Sequence, residues 1–168
     1  MKKLFILLLI VAALFAKEEV TRLDTVKVTG FDKLKEDLTP EATISFLDNG
    51  VRVLELVSVV EFKTDSTVIE KRFVPLLNEW SKYLKKRPQY SILLIGRADS
   101  RGPVEYNKRL SKRRALKIKN YLINKGVKNK MSVIPNGEEN DVANNSTPAG
   151  MEINRSVEIR YIEEQPEN

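Results

Sequence analysis

The sequence predicts an α/β fold of β-α-β-α-β order, with helices packed on one side of a mixed sheet and an N-terminal β-hairpin. Three observations carry this prediction: two β-branched runs flank an Asn-Gly pair, two amphipathic helical patterns follow, and short apolar runs alternate with those helices. Such alternation is typical of one sheet covered by helices. A chain of 168 residues is long enough for one such domain and short for two.

The first sixteen residues are predicted to be a secretory signal peptide. Lys2 and Lys3 precede an apolar run from Leu4 to Phe15, and the small residue Ala16 follows. An apolar run of about 13 residues is too short to cross a bilayer core, which needs roughly 20 in a helix. We therefore expect an exported, periplasmic protein whose mature chain contains no transmembrane segment.

The composition excludes several classes of function. The sequence contains neither Cys nor His, so disulfides, thiolate metal sites and the commonest general base are missing. We therefore expect no enzyme, no metal and no cofactor. Removing two lysines with the signal peptide reduces 29 basic residues to 27, which against 23 acidic residues gives a net charge of +4. In an exported protein this mild excess favours anionic envelope polymers and makes a nucleic-acid partner unexpected.

Residues 17–42 are predicted to form an N-terminal extension with one short strand in the alternating stretch 24–30. The domain proper begins with the hairpin. Its strands are predicted at 43–47 and 51–62, because two β-branched runs around the turn 48–50, Asp-Asn-Gly, make the strongest short-range hairpin signal.

A first helix is predicted after the hairpin, since apolar residues recur at helical spacing over 69–84. It should end by Arg87, ahead of a proline. Pro75 lies inside this pattern and leaves two alternatives. Either the helix begins near Val74 with Pro75 in its first turn, or the helix is kinked at Pro75, because proline loses one backbone hydrogen bond.

The second half of the domain contains a buried strand and a long helix. The short apolar run 90–96 is typical of a central strand buried on both faces. The long helix is predicted from Pro103, which suits a first helical position, to Gly126, which suits a helix end. Two further strands are predicted at 131–135 and 156–162, with a polar loop, 136–150, between them. Residues 163–168 are predicted to be a disordered tail.

One face of the long helix is predicted to pack on the sheet, although it includes polar side chains. At about 100° per residue, the residues that share this face are Asn107, Leu110, Ser111, Arg114, Ala115, Ile118 and Leu122. Most other basic side chains of the helix lie on the opposite side. We interpret them as a solvated surface.

Arg114 is the unusual member of this face, because a buried guanidinium is costly unless it is paired. Asp99 follows the strand 90–96 at its carboxyl end, where α/β sheets usually bind ligands. Two interpretations are open. The pair is a structural salt bridge, or Asp99 accepts hydrogen bonds from a ligand ammonium group while Arg114 holds a ligand carboxylate. Asn107, two helical turns earlier, would add a neutral donor or acceptor to such a zwitterion site.

The stretch GRADSRGPVEYNKRLSKRRALKIKNYLINKG, residues 96–126, carries a specific motif. It resembles the core of the OmpA-like peptidoglycan-binding domain, usually written G-H-T-D-x-x-G-x-x-x-Y-N-x-x-L-S-x-R-R-A. The residues that match in register are Gly96, Asp99, Gly102, Tyr106, Asn107, Leu110, Ser111, Arg113, Arg114 and Ala115. The resemblance extends over about residues 43–162, which we therefore predict to be one such domain.

The resemblance implies a non-catalytic periplasmic protein of a Gram-negative envelope, associated with the cell wall or outer membrane, that binds the peptide stem of peptidoglycan and helps anchor the envelope. The ligand group would be the stem diamino acid, usually meso-diaminopimelate. The family aspartate falls on Asp99, which would meet the side-chain ammonium, and the family arginine falls on Arg114, which would hold the neighbouring carboxylate. The family asparagine corresponds to Asn107. This favours the zwitterion site over the structural pair.

Four positions near the motif depart from the family pattern: Arg97, Ala98, Met151 and Ser156. Arg97 and Ala98 replace the usual His and Thr, so a hydroxyl near the ligand is missing and an extra cation is expected beside the site. Arg155 is kept. It either lines the site or pairs with Glu158 or a turn carboxylate, and the sequence leaves both open.

An adaptor is the alternative to a peptidoglycan-binding protein. Such a protein would keep the fold without the ligand and would contact another envelope protein. The contact would use the extension 17–42, or Trp80 and its neighbours. Binding to isolated cell-wall sacculi separates the two functions.

Overall fold

A computed structural model describes the backbone over residues 20–25, 41–47, 51–139 and 141–166, with side chains within 55–139 and 141–161. The predicted signal peptide and the predicted turn 48–50 lie outside these residues. The described strands are β1 (Val20–Thr25), β2 (Glu41–Leu47), β3 (Val51–Glu61), β4 (Ile92–Arg97), β5 (Met131–Gly137) and β6 (Ser156–Pro166). The described α-helices are α1 (Val74–Lys85), α2 (Val104–Asn124) and α3 (Pro148–Asn154).

The strands form one mixed sheet in the order β1-β2-β3-β6-β4-β5. β4 and β5 pair in parallel, and the other neighbouring strands pair antiparallel. Parallel strands need a long crossover connection, which α2 supplies here. β2 and β3 pair directly, as predicted for the N-terminal hairpin. The predicted α/β fold with a mixed sheet is confirmed.

The hydrophobic core lies between one face of the sheet and the helices α1 and α2. Side chains of a strand alternate between the two faces of a sheet, so every second residue of β3, β4 and β6 points to the helices. The buried core side chains of these strands are Leu56, Val60, Ile92, Leu94, Val157, Ile159 and Tyr161. Burying one such side chain contributes about 1.5 to 3 kcal/mol, which fixes both helices on this face as predicted.

α1 begins at Val74, directly after a 3₁₀ turn at Lys71–Phe73, and contains Pro75 in its first turn. The first of the two alternatives is therefore confirmed, because a first-turn proline costs no helical hydrogen bond. Trp80 of α1 is fully buried, and its indole N–H donates to Ser58 Oγ at 2.9 Å. Trp80 is therefore not exposed for the contact that the adaptor alternative assigns to it and its neighbours.

α2 buries the seven residues that its periodicity predicts, from Asn107 to Leu122. It starts one residue later than predicted, because Pro103 has an extended ψ of 143° and acts as the N-cap. Gly126 follows the helix with a φ of 83°, the left-handed conformation typical of a helix end. The close contact with β4 needs Gly96, since a Cβ atom there would lie 2.2 Å from the backbone oxygen of Ser111.

The opposite face of the sheet carries a buried ladder of ion pairs, formed by Glu55, Arg160, Glu158 and Arg97. Arg160 Nε lies 3.0 Å from Glu55 Oε1 and 2.7 Å from Glu158 Oε1. Arg97 Nη2 lies 2.9 Å from Glu158 Oε2. Each of the four side chains is exposed by 5% or less. Burial chiefly raises the pKa of Glu55, as does the neighbouring Glu158 charge, against the opposing effect of Arg160.

The C-terminal region differs from the prediction in two places. Helix α3 was not expected beside the polar loop 136–150, although Thr147 caps it by accepting from the Gly150 N–H at 3.1 Å. The disordered tail predicted at 163–168 is wrong for 163–166, because β6 continues to Pro166 and pairs with the long strand β3. Backbone pairing does not depend on apolar side chains, so a polar sequence can extend a strand.

The extension 17–42 joins the same sheet over part of its length. β1 lies within it and pairs with β2 at the edge of the sheet. The strand predicted at 24–30 overlaps β1 by two residues, and residues 26–30 lie outside the described part of the chain. The predicted domain boundaries themselves stay predictions.

Candidate functional site

The candidate site lies where β4 ends and α2 begins, around the carboxylate of Asp99. This side chain is only 10% exposed and accepts from two arginines. Arg101 Nη2 lies 2.6 Å from Asp99 Oδ2, and Arg155 Nη1 lies 3.1 Å from the same oxygen. The predicted ligand residues Asp99 and Arg155 are therefore in direct contact.

The Asp99 carboxyl is held in its ionised form. Burial alone would raise its pKa, but hydrogen bonds from Arg101 and Arg155 outweigh burial and bring the pKa below the usual 3.8. Asp99 is thus a negative charge at neutral pH in contact with two guanidinium groups. Such a carboxylate can accept hydrogen bonds from a ligand ammonium.

Arg155 enters the site from the end of α3, where it is the C-cap residue. Its Nε donates to the backbone oxygen of Phe62 at 3.2 Å while Nη1 reaches Asp99, and 14% of the side chain is exposed. Of the open alternatives for Arg155, pairing with Glu158 is wrong, because Glu158 belongs to the ladder on the other face. Arg155 pairs with the turn carboxylate of Asp99, and its contact with a ligand stays a prediction.

Arg114 is fully buried and does not pair with Asp99. Its guanidinium donates to three backbone oxygens at 2.9 to 3.0 Å, those of Lys63, Ser66 and Arg97. Burial chiefly lowers its pKa to about 10, so it stays charged at neutral pH. The interpretation as an Asp99 salt bridge is wrong. Arg114 instead ties the loop after β3 to the end of β4, and its contact with a ligand carboxylate stays a prediction.

Asn107 is also buried and fixes the turn that presents Asp99. Its amide nitrogen lies 2.9 Å from the backbone oxygen of Asp99, 3.0 Å from that of Gly102 and 2.6 Å from Glu138 Oε2. Gly102 has little room for a side chain, because a Cβ atom there would lie 2.7 Å from Asn107 Oδ1. Asn107 therefore positions the turn from within.

Arg97 does not flank the site, so the expectation of an extra cation there is wrong. Its side chain is 5% exposed and pairs with Glu158 on the opposite face of the sheet. The alternation of β4 decides this, since Arg97 lies on the face opposite Gly96. Ala98 is also buried, and its backbone N–H donates to the oxygen of Gly137 at 2.6 Å.

Three residues at the rim of the site were not predicted: Arg101, Thr64 and Asp65. Arg101 crosses from its own loop to the loop after β3, where Nη2 donates to Thr64 Oγ1 at 2.9 Å. Tyr106 Oη donates to Asp65, and this hydrogen bond is the largest cause of the raised pKa of Tyr106. The polar run KTDS at 63–66 was the available signal for this second loop.

Metal-binding clusters and membrane-spanning helices are both absent from the part of the chain that the structure describes. Their acidic side chains form no cluster of three or more that would suit a metal ion. Among the described helices, none combines the length and the apolar character that crossing a bilayer requires.

A sequence model of the OmpA family matches residues 61–155, which confirms the resemblance found in the motif. A peptidoglycan-associated lipoprotein of Rhizobium meliloti is 42% identical over 83 residues, which cover 49% of this chain and 47% of the relative. The first curated relatives are matched over only 31% to 49% of their own length.

Solved structures have the same fold. The peptidoglycan-associated lipoprotein from Burkholderia pseudomallei matches with a TM-score of 0.60 and 34% identity, covering 61% of this chain and 88% of that one. The periplasmic domain of Helicobacter pylori MotB matches with a TM-score of 0.57, covering 82% of this chain and 85% of that one. Its identity of 24% shows a likeness of fold alone.

Proposed function

Because the chain belongs to the OmpA family, we propose that it is a non-catalytic protein of the cell envelope that binds peptidoglycan and helps anchor the envelope. Two relatives bear the name peptidoglycan-associated lipoprotein, which supports this class of partner. The proposal rests chiefly on the ionised carboxylate of Asp99, which contacts the guanidinium groups of Arg101 and Arg155.

The proposed ligand is the diamino acid of the peptide stem, such as meso-diaminopimelate. Its side-chain ammonium would bind Asp99, and its neighbouring carboxylate would meet the positive charges of Arg155 and Arg114. Arg114 is fully buried and binds three backbone oxygens, so it would act on the ligand carboxylate through its charge, and the direct contact would come from Arg155. Asn107 contributes by holding the turn rather than by touching the ligand.

We propose binding without catalysis at this site. Arg101 and Arg114 keep their protons at neutral pH, since the pKa of Arg101 is raised by its hydrogen bond to Asp99 and that of Arg114 is about 10. Asp99 keeps its negative charge because hydrogen bonds from Arg101 and Arg155 lower its pKa below 3.8. These groups recognise charge, and general acid or base catalysis needs groups that exchange protons near the working pH.

The proposed location is the periplasm, in association with the cell wall or the outer membrane. The predicted signal peptide 1–16 supports export, and the names of the relatives agree with an envelope location. The adaptor alternative receives no comparable support, because Trp80 is buried and residues 20–25 of the extension form a strand of the sheet.

Co-sedimentation with purified peptidoglycan sacculi tests the proposed function. We expect the wild-type protein to sediment and the Asp99→Asn variant to stay in solution, because the amide removes the charge with little change of shape. Glu79→Gln is the matched control, since Glu79 lies in α1 and pairs with Lys82 rather than with a residue of the site. Circular dichroism verifies that each variant is folded. Sedimentation of Asp99→Asn at the wild-type level, or wild-type protein that stays in solution, would contradict the proposal.

A further inference from the structure

We propose that Arg101 is an exchangeable counter-ion of Asp99, which a ligand ammonium must displace before it can bind. This inference rests on the proposed function. It assigns Arg101 the task of setting the affinity of the site.

The contacts of Arg101 place it where a ligand ammonium would bind. Its Nη2 lies 2.6 Å from Asp99 Oδ2 and its Nε lies 3.2 Å from Oδ1, so the fork covers both carboxylate oxygens. Arg155 contacts Oδ2 alone. An ammonium group therefore cannot bind both oxygens of Asp99 while Arg101 holds this position.

Exposure separates Arg101 from the other two arginines of the site. Its side chain is 49% exposed, whereas that of Arg155 is 14% exposed and Arg114 is fully buried. Arg155 is also anchored to a backbone oxygen of the loop after β3, and Arg114 to three backbone oxygens. Arg101 reaches that loop only through the hydroxyl of Thr64. Arg101 is therefore the cation that can move into solvent at small cost, because exposed ion pairs contribute little free energy.

Competition within the same chain lowers the affinity of every ligand that binds Asp99. Arg101 is two residues from Asp99 and is present at a high effective concentration, so a free monovalent amine in solution competes poorly with it. A zwitterion also offers a carboxylate to Arg155, beside the positive charge of Arg114, and this second interaction compensates for the loss of the Arg101 pair. This second interaction, and not Arg101, favours ligands that carry both charges.

Binding isotherms on sacculi test this role of Arg101. We expect Arg101→Ala to bind about two- to fivefold more tightly than wild type, since the competing ion pair is removed. Arg109→Ala is the matched control, because it removes an exposed arginine of α2 outside the site and changes the net charge equally.

Each outcome separates the inference from the proposed function. If wild type binds sacculi and Arg101→Ala binds equally or more weakly than the Arg109→Ala control, Arg101 is not a competitor and the inference is wrong. If wild type does not bind sacculi, the proposed function itself fails.

Discussion

The ion-pair ladder lies on the face of the sheet opposite the helices, and the Asp99 cluster lies at the end of β4. Both consist of carboxylates and guanidinium groups, but they differ in exposure. In the ladder, Arg160 and its partners are exposed by 5% or less. In the Asp99 cluster, Arg101 is exposed by 49%. Both arginines of the ladder are buried and so cannot exchange with a cation from solvent, even though Arg97 Nε and Arg160 Nη1 have no hydrogen-bond partner. A set with one exposed, weakly anchored cation can exchange that cation for another, which is what a binding site requires.

The two fully buried arginines give the largest test of this comparison. We expect Arg160→Met and Arg114→Met each to lower the free energy of unfolding by about 3 to 5 kcal/mol, because removing one member of a buried polar set leaves its partners uncompensated. Arg160→Met removes the ion-pair partner of Glu55 and leaves Glu158 paired with Arg97 alone, and Arg114→Met removes the donor to three backbone oxygens. Urea unfolding measures both changes.

Binding to sacculi distinguishes the same two variants. The folded fraction of Arg160→Met should bind as wild type does, because the ladder lies on the opposite face of the sheet from the helices. The folded fraction of Arg114→Met should bind weakly, since the loop 63–66 loses its anchor and the site loses a positive charge. Equal binding by both variants would show that Arg114 contributes to stability alone.

A smaller effect is expected in the pH dependence of stability. The pKa of Asp99 in the folded protein lies below 3.8, so its stabilising contribution is complete above that pH and is lost as the pH falls through the folded pKa. The stability difference between wild type and Asp99→Asn, about 1 kcal/mol near neutral pH, should therefore shrink below pH 3.8. Thermal unfolding from pH 2 to pH 7 measures it, and a difference that grows on acidification contradicts the assignment.

Periodicity predicted the packing of the fold well. The buried face of α2 follows from helical spacing alone, because the apolar core selects one side of a long regular helix. Helix α3 was missed although Thr147 and Pro148 are typical of a helix start, since its seven residues are too few to show a period. Strand alternation could have predicted that Arg97 lies on the face opposite Gly96, but a comparison of motifs does not consider it.

The site was predicted only in part. The sequence located Asp99, but it could not predict that Arg114 binds backbone oxygens, because those oxygens belong to a loop whose path depends on tertiary structure. Arg101 was missed because it occupies a variable position of the motif in a turn, where spacing carries no information. Its importance follows from the contact with Asp99, which only the folded chain shows.

The most direct test of the account follows the arginine Nε–H signals by NMR while the protein is titrated with meso-diaminopimelate. We expect the Arg101 signal to shift as its contact with Asp99 is replaced, while the chemical shift of the Arg160 signal in the buried ladder stays unchanged. No change at Arg101 at saturating ligand, or an equal change at both arginines, would contradict an exchangeable cation at a zwitterion site.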